Sequence, residues 1–97
     1  MERTDWSIMT HLINIGFGNM INSDKIVAII SPDSAPAKRM VQNSRENGNV
    51  VDATQGRRTR AIIVTDSDYV VLSALLPDTI VGRYNSKLND FKDDVES

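Results

Sequence analysis

The chain has 97 residues, 40% hydrophobic and 25% charged, which suits one domain with a modest core. It has no cysteine, which excludes a disulfide framework or a thiolate metal site, and no apolar run approaches the ~20 residues that span a bilayer. The net charge of −2 argues weakly against a nucleic-acid partner, but the distribution of charge matters more than its sum.

Residues 1–11 carry Glu2 and Asp5 and lack a long apolar run, so they do not read as a signal peptide but as an N-terminal extension. Trp6 and Met9 fall outside any regular pattern and are expected to cover the sheet or a neighbouring subunit. His11 is the only histidine, and with no second histidine a metal site is not expected. Leu12-Ile13-Asn14-Ile15-Gly16-Phe17 reads as a strand running into a tight turn at residues 16–19. Gly16-Phe17-Gly18 lacks both the lysine of a P-loop and the third glycine of a dinucleotide site, so the turn reading holds and Phe17 is a core anchor or an interface knob.

Lys25-Ile26-Val27-Ala28-Ile29-Ile30 is β-branched and nearly all apolar, the pattern of a central strand. Ser31-Pro32-Asp33-Ser34-Ala35-Pro36 then opens a helix, capped by Asp33 or Ser34, with Pro36 in its first turn and Gly48 as a left-handed stop. Its apolar stripe is thin (Ala37, Met40, Val41), leaving Lys38, Arg39 and Arg45 for solvent. Residues 50–53, 59–65 and 69–74 read as three strands, the last two joined as a hairpin through Asp66-Ser67-Asp68. Pro77-Asp78-Thr79 starts a second, shorter helix carrying Ile80, Val81 and Tyr84. Residues 87–97 form an acidic tail that is expected to fray. These elements make an α+β fold: a small, mostly antiparallel sheet of about five strands, one main helix and a short C-terminal helix.

Charge is unevenly spread over this frame. Up to Arg60 there are eight Lys/Arg against six Asp/Glu; beyond it there are three against seven. Three arginines crowd into Gly56-Arg57-Arg58-Thr59-Arg60, directly before the apolar Ala61-Ile62-Ile63-Val64. Continued as a strand, Arg58 and Arg60 share one face and Arg57 and Thr59 the other. Guanidinium suits bidentate contact with phosphate. It equally suits ion pairs with Asp33, Asp52 or a neighbouring subunit's carboxylates, and a catalytic arginine is a third reading. Lys38 and Arg39, with Lys25 at the start of its strand, join such a surface only if the fold brings them beside it. Asp66 and Asp68 are ordinary turn residues, not an acid/base pair. No nucleophile, acid/base or metal set assembles, so the chain does not read as an enzyme and no cofactor is expected.

Several longer strings resemble one family. Leu12-Ile13-Asn14-Ile15-Gly16-Phe17-Gly18-Asn19, the Ser31–Pro36 string followed by Lys38-Arg39, and above all Asp52-Ala53-Thr54-Gln55-Gly56-Arg57-Arg58-Thr59-Arg60-Ala61 are similar to the bacterial extracellular matrix regulators of the RemA type. Asp66-Ser67, Val70-Val71-Leu72-Ser73-Ala74 and Pro77-Asp78-Thr79 complete the resemblance, which covers residues 12–83. The resemblance implies a single RemA-like DNA-binding domain over residues 12–86. It implies a cytoplasmic, nucleoid-associated transcription regulator of biofilm-matrix and osmoadaptation genes, without membrane attachment. It also implies a ring-like homo-oligomer, of about seven or eight subunits, whose basic rim bends double-stranded DNA. Arg57 and Arg58 are the implied principal DNA contacts, with Arg60, Lys38 and Arg39 in support. Lys25 stands where the family usually has arginine; it keeps the charge and loses the fork. The rival reading is a ring-forming scaffold or phosphorylated-ligand sensor whose arginines serve subunit interfaces or a small anion.

Overall fold

The computed structural model describes the backbone of residues 12–96 and side chains through Ser86. The extension at residues 1–11, with Trp6, Met9 and His11, lies outside the described residues. Six strands and two helices follow in order: β1 (Leu12–Asn14), β2 (Met20–Asn22), a 3-10 turn (Ser23–Lys25), β3 (Ile26–Ile30), α1 (Ala35–Glu46), β4 (Val50–Asp52), β5 (Ala61–Thr65), β6 (Val70–Ser73) and α2 (Pro77–Glu96). β1 and β2 form a small antiparallel hairpin, and the other four strands form a sheet ordered β3-β5-β6-β4.

β5 is central because both of its faces are apolar. Ala61 and Ile63 face a cluster with Ile13, Ile15, Ala53, Val71 and Ile80, under the β1–β2 hairpin and α2. Ile62 faces the other cluster, with Ala37, Val70 and Leu72, under α1. Alternation along one extended segment thus supplies two cores, one on each side of the sheet. β3 keeps the same sorting through a bulge: Ile26 pairs with Thr65 and Ala28 with Val64, which leaves Val27 out of register. Val27 is accordingly 65% exposed, although it sits in a nearly continuous apolar run.

α1 follows its sequence signals. The Ala37 N–H donates to Ser34 Oγ at 3.2 Å, so Ser34 is the cap. Gly48, at φ 72°, ends the helix in the left-handed region. The β5–β6 hairpin closes through Asp68, also left-handed at φ 68°, with the Thr65 N–H donating to the Tyr69 carbonyl.

Two expectations need correction, the strand count and the helix lengths. The mostly antiparallel sheet is as expected: β3 pairs with β5 and β5 with β6 antiparallel, and only β4 pairs with β6 in parallel. This happens because α1 returns the chain to the end of the sheet where β6 begins. There are six strands in two sheets, the sixth being β2, whose three residues are set by pairing with β1 across the Gly16 turn. The C-terminal helix is the longer of the two: 20 residues against 12. Its sequence contains no proline after Pro77, and apolar residues at 80, 84, 88, 91 and 95 keep a helical spacing through the acidic segment. No helix among the described residues is long and apolar enough to cross a membrane.

Candidate functional site

The sheet has two chemically different ends. One is the β5–β6 hairpin end. At the other converge the loop after β3, the loop between β4 and β5, the β1–β2 turn and the start of α2. Ser73 ties these parts together. It is fully buried, donates from Oγ to the Ile15 carbonyl at 2.8 Å and accepts from the Leu75 N–H at 3.1 Å. The β1–β2 turn is thereby fixed against the sheet beside the arginine loop.

That loop is built by local hydrogen bonds. The Asp52 carboxylate accepts from the Thr54 N–H at 2.9 Å and the Thr54 hydroxyl at 2.6 Å. These bonds hold the Asp52 pKa below its ordinary 3.8; burial opposes the shift and the Arg45 charge adds to it. Gln55 and Gly56 are both left-handed, at φ 55° and 77°, and the Arg57 N–H donates to the Thr54 carbonyl at 2.9 Å. Two positive-φ residues inside a 4→1 hydrogen bond make a tight mirror-image turn. Arg57 therefore leaves a backbone with little freedom. The strand proper begins at Ala61, not residue 59, so Arg57 to Thr59 do not alternate as ladder residues. Arg60 marks the transition: its N–H donates to the Ser73 carbonyl at 2.8 Å.

All three arginines are exposed. Arg57, Arg58 and Arg60 line an open cleft of about 470 Å³ together with Asn14, Phe17, Leu75 and Arg83. Among the described residues, this cleft has no carboxylate in its wall. Arg83 reaches it from α2 and donates to the Asn14 carbonyl at 2.8 Å. Arg57 lies over the Phe17 ring, 5.6 Å from its centroid. Arg58 and Arg60 also line a second cleft of about 330 Å³, whose wall includes Asp33 and Asp78. Arg57 is thus not turned away from its neighbours; all three share the first cleft, and only Arg58 and Arg60 share the second.

The ion pairs considered from sequence do not form within the chain. Among the described residues, no carboxylate lies within ion-pair distance of Arg57, Arg58, Arg60 or Arg83. Asp52 is engaged by Thr54 instead. Phe17 belongs to neither apolar cluster, so it is not a core anchor.

The remaining candidate cations lie elsewhere. Lys25 is at the hairpin end, where its Nζ is 3.9 Å from Asp66 and its carbonyl accepts from the Asp66 N–H. The run of β5 between the two ends is about 17 Å at ~3.4 Å per residue. Arg39 lines a cleft on α1 with Asn43, Asn47, Asn49 and Asp68, again toward the hairpin end. Lys38 is exposed one turn into α1. The sequence missed Arg83, and no local signal could have found it: it meets Asn14 across 69 positions. Among the described residues, no group of acidic, histidine or cysteine side chains could hold a metal ion.

Comparison with known proteins agrees with the quoted strings. The RemA-like family, described as extracellular matrix regulatory protein A-like, matches residues 12–84. A protein of Alkaliphilus oremlandii is 62% identical over 78 residues, covering 80% of this chain and 84% of the relative. One from Caldicellulosiruptor saccharolyticus is 54% identical over 85 residues (88% and 84%), and one from Geobacillus thermodenitrificans 53% over 88 residues (90% and 99%). Each bears the name "Putative regulatory protein", a regulator's name and not an enzyme's. The match spans the whole described core, arginine loop included, and the chain belongs to the RemA-like family of regulatory proteins.

Proposed function

We propose that this chain is a DNA-binding transcription regulator that acts on biofilm-matrix and osmoadaptation genes in the bacterial cytoplasm. Its subunits assemble head to tail into a closed ring, and duplex DNA bends around the rim that carries the arginine loops. The observation that carries this reading is a cleft lined by four arginines, three from a hydrogen-bonded loop and Arg83 from α2, with no carboxylate in its wall among the described residues. Fixed cations with no carboxylate paired to them among the described residues can neutralise phosphates, and each neutralised phosphate releases counterions. One subunit offers few such contacts. A ring repeats them at fixed spacing and gains avidity without new chemistry.

Arg57 and Arg58 are the principal contacts in this reading, with Arg60 and Arg83 beside them. Lys38, Arg39 and Lys25 act as outlying phosphate contacts, reached by a duplex that crosses the sheet or a neighbouring subunit. Specificity comes from how readily a sequence bends, as for other proteins that hold DNA through minor-groove arginines.

The rival reading, a ring scaffold or a sensor of a phosphorylated ligand, draws on the concavity of the same cleft. Light scattering of the wild type and of Arg57→Ala/Arg58→Ala, with and without duplex DNA, separates the two. The DNA reading requires a wild-type assembly that gains the mass of DNA and a double variant that assembles equally but gains none. A double variant that falls to monomers assigns the arginines to the interface. A wild type that never gains DNA mass rejects the DNA reading.

A further inference from the structure

Phe17 has no role in phosphate binding, yet the fold presents it at the arginine cleft. It is 49% exposed at the tip of the β1–β2 turn. Its φ of 55° is left-handed, a conformation unfavourable for a bulky side chain, and Gly16 and Gly18 on either side are also at positive φ. Four hydrogen bonds hold this turn: Ile15 N–H to the Asn19 carbonyl, Asn19 N–H and Nδ2 to the Gly16 carbonyl, and Gly16 N–H to Asn14 Oδ1. The ring joins neither core cluster, and Arg57 covers one side of it. A strained, braced and outward-facing aromatic among four arginines has no account in local stability.

We propose that Phe17 is a base-contacting residue: its ring packs against a base at a loosened step of bound duplex DNA while Arg57, Arg58, Arg60 and Arg83 hold the flanking phosphates. This rests on the DNA-binding reading above and adds to it the contact that produces the bend. Phosphate has no use for an aromatic ring, whereas every base offers a π-face. Apolar side chains beside minor-groove arginines unstack a base step and kink the duplex, which is what wrapping a rim requires. A mismatched step costs less to open, so the contact has a measurable preference.

The test uses the assembled full-length protein and two short duplexes, one fully paired and one with a single central mismatch, titrated across a salt series. Wild type is expected to bind the mismatched duplex severalfold more tightly. Phe17→Ala is expected to bind about tenfold more weakly, to lose that preference and to keep the salt slope, because no phosphate contact is removed. Phe17→Trp is expected to restore both affinity and preference. The proposal is overturned if Phe17→Ala binds as wild type does. It is also overturned if Phe17→Ala has no effect in an Arg57→Ala background, which would make the ring only a support for Arg57, or if it lowers the assembly mass, which would make Phe17 an interface residue. A wild type that binds neither duplex rejects the DNA reading itself, a different failure from a wild type that binds and an indifferent Phe17 variant.

Discussion

The two ends of the four-stranded sheet place charge differently. At the hairpin end cations sit with carboxylates: Lys25 with Asp66, and Arg39 in a cleft shared with Asp68. At the other end Arg58 and Arg60 share one cleft with Asp33 and Asp78, but a second cleft gathers four arginines with no carboxylate among the described residues. The same strand, β5, connects both, so the difference is one of loop chemistry and not of fold. An acidic chain can thus gather arginines in one cleft while its nearby carboxylates are used locally or line a different cleft. Asp52 shows how: it ends β4, five residues before Arg57, yet its carboxylate is engaged by Thr54.

Substitutions that remove the braces should separate the ends further. Ser73→Ala is expected to have the largest effect on stability, about 2–3 kcal/mol by denaturant titration, since it strands the buried Ile15 carbonyl and the Leu75 N–H. The matching change at the hairpin end, Thr65→Ala, removes an exposed bond to the Tyr69 carbonyl and should cost under about 1 kcal/mol. Equal losses would mean that the arginine end is no more rigid than the hairpin. Gly56→Ala forces a side chain into φ 77° and should cost about 1 kcal/mol in thermal unfolding while weakening DNA binding through a displaced Arg57.

Acid titration offers a finer test. The folded Asp52 pKa is depressed, so its contribution to stability is present in full above the unfolded value of about 3.8 and fades as pH falls through the lower folded value. Asp52→Asn should flatten that part of the stability profile and leave it unchanged at pH values well above it, apart from a constant offset. The smallest effect is expected from Lys25→Ala. Its exposed pair with Asp66 should contribute less than about 0.5 kcal/mol, read as a nearly unmoved melting temperature.

Much of the fold was legible because local chemistry decides it. Ser34 and Gly48 bound α1, Asp68 closes the hairpin, and the two-faced apolar run at residues 61–64 marks the buried strand. What escaped depends on contacts remote in sequence. The parallel pairing of β4 is set by where α1 delivers the chain, and β2 by its partner strand. The arginine loop was visible as a cluster, but its geometry was not. Alternation along a strand was the wrong rule for a segment held in a turn by Thr54, Gln55 and Gly56. Arg83 joins the cleft only when α2 packs beside β1.

The most direct measurement is the salt dependence of duplex DNA binding by wild type, Arg57→Ala/Arg58→Ala and Lys25→Ala, each checked for unchanged assembly mass. If the arginine end carries the phosphates, the double variant should lower the slope of log K against log salt by about 2 for each subunit engaged. Lys25→Ala should lower it by less than about 1. An unchanged slope in the double variant, or a larger loss in Lys25→Ala, would contradict the assignment of DNA binding to the arginine end.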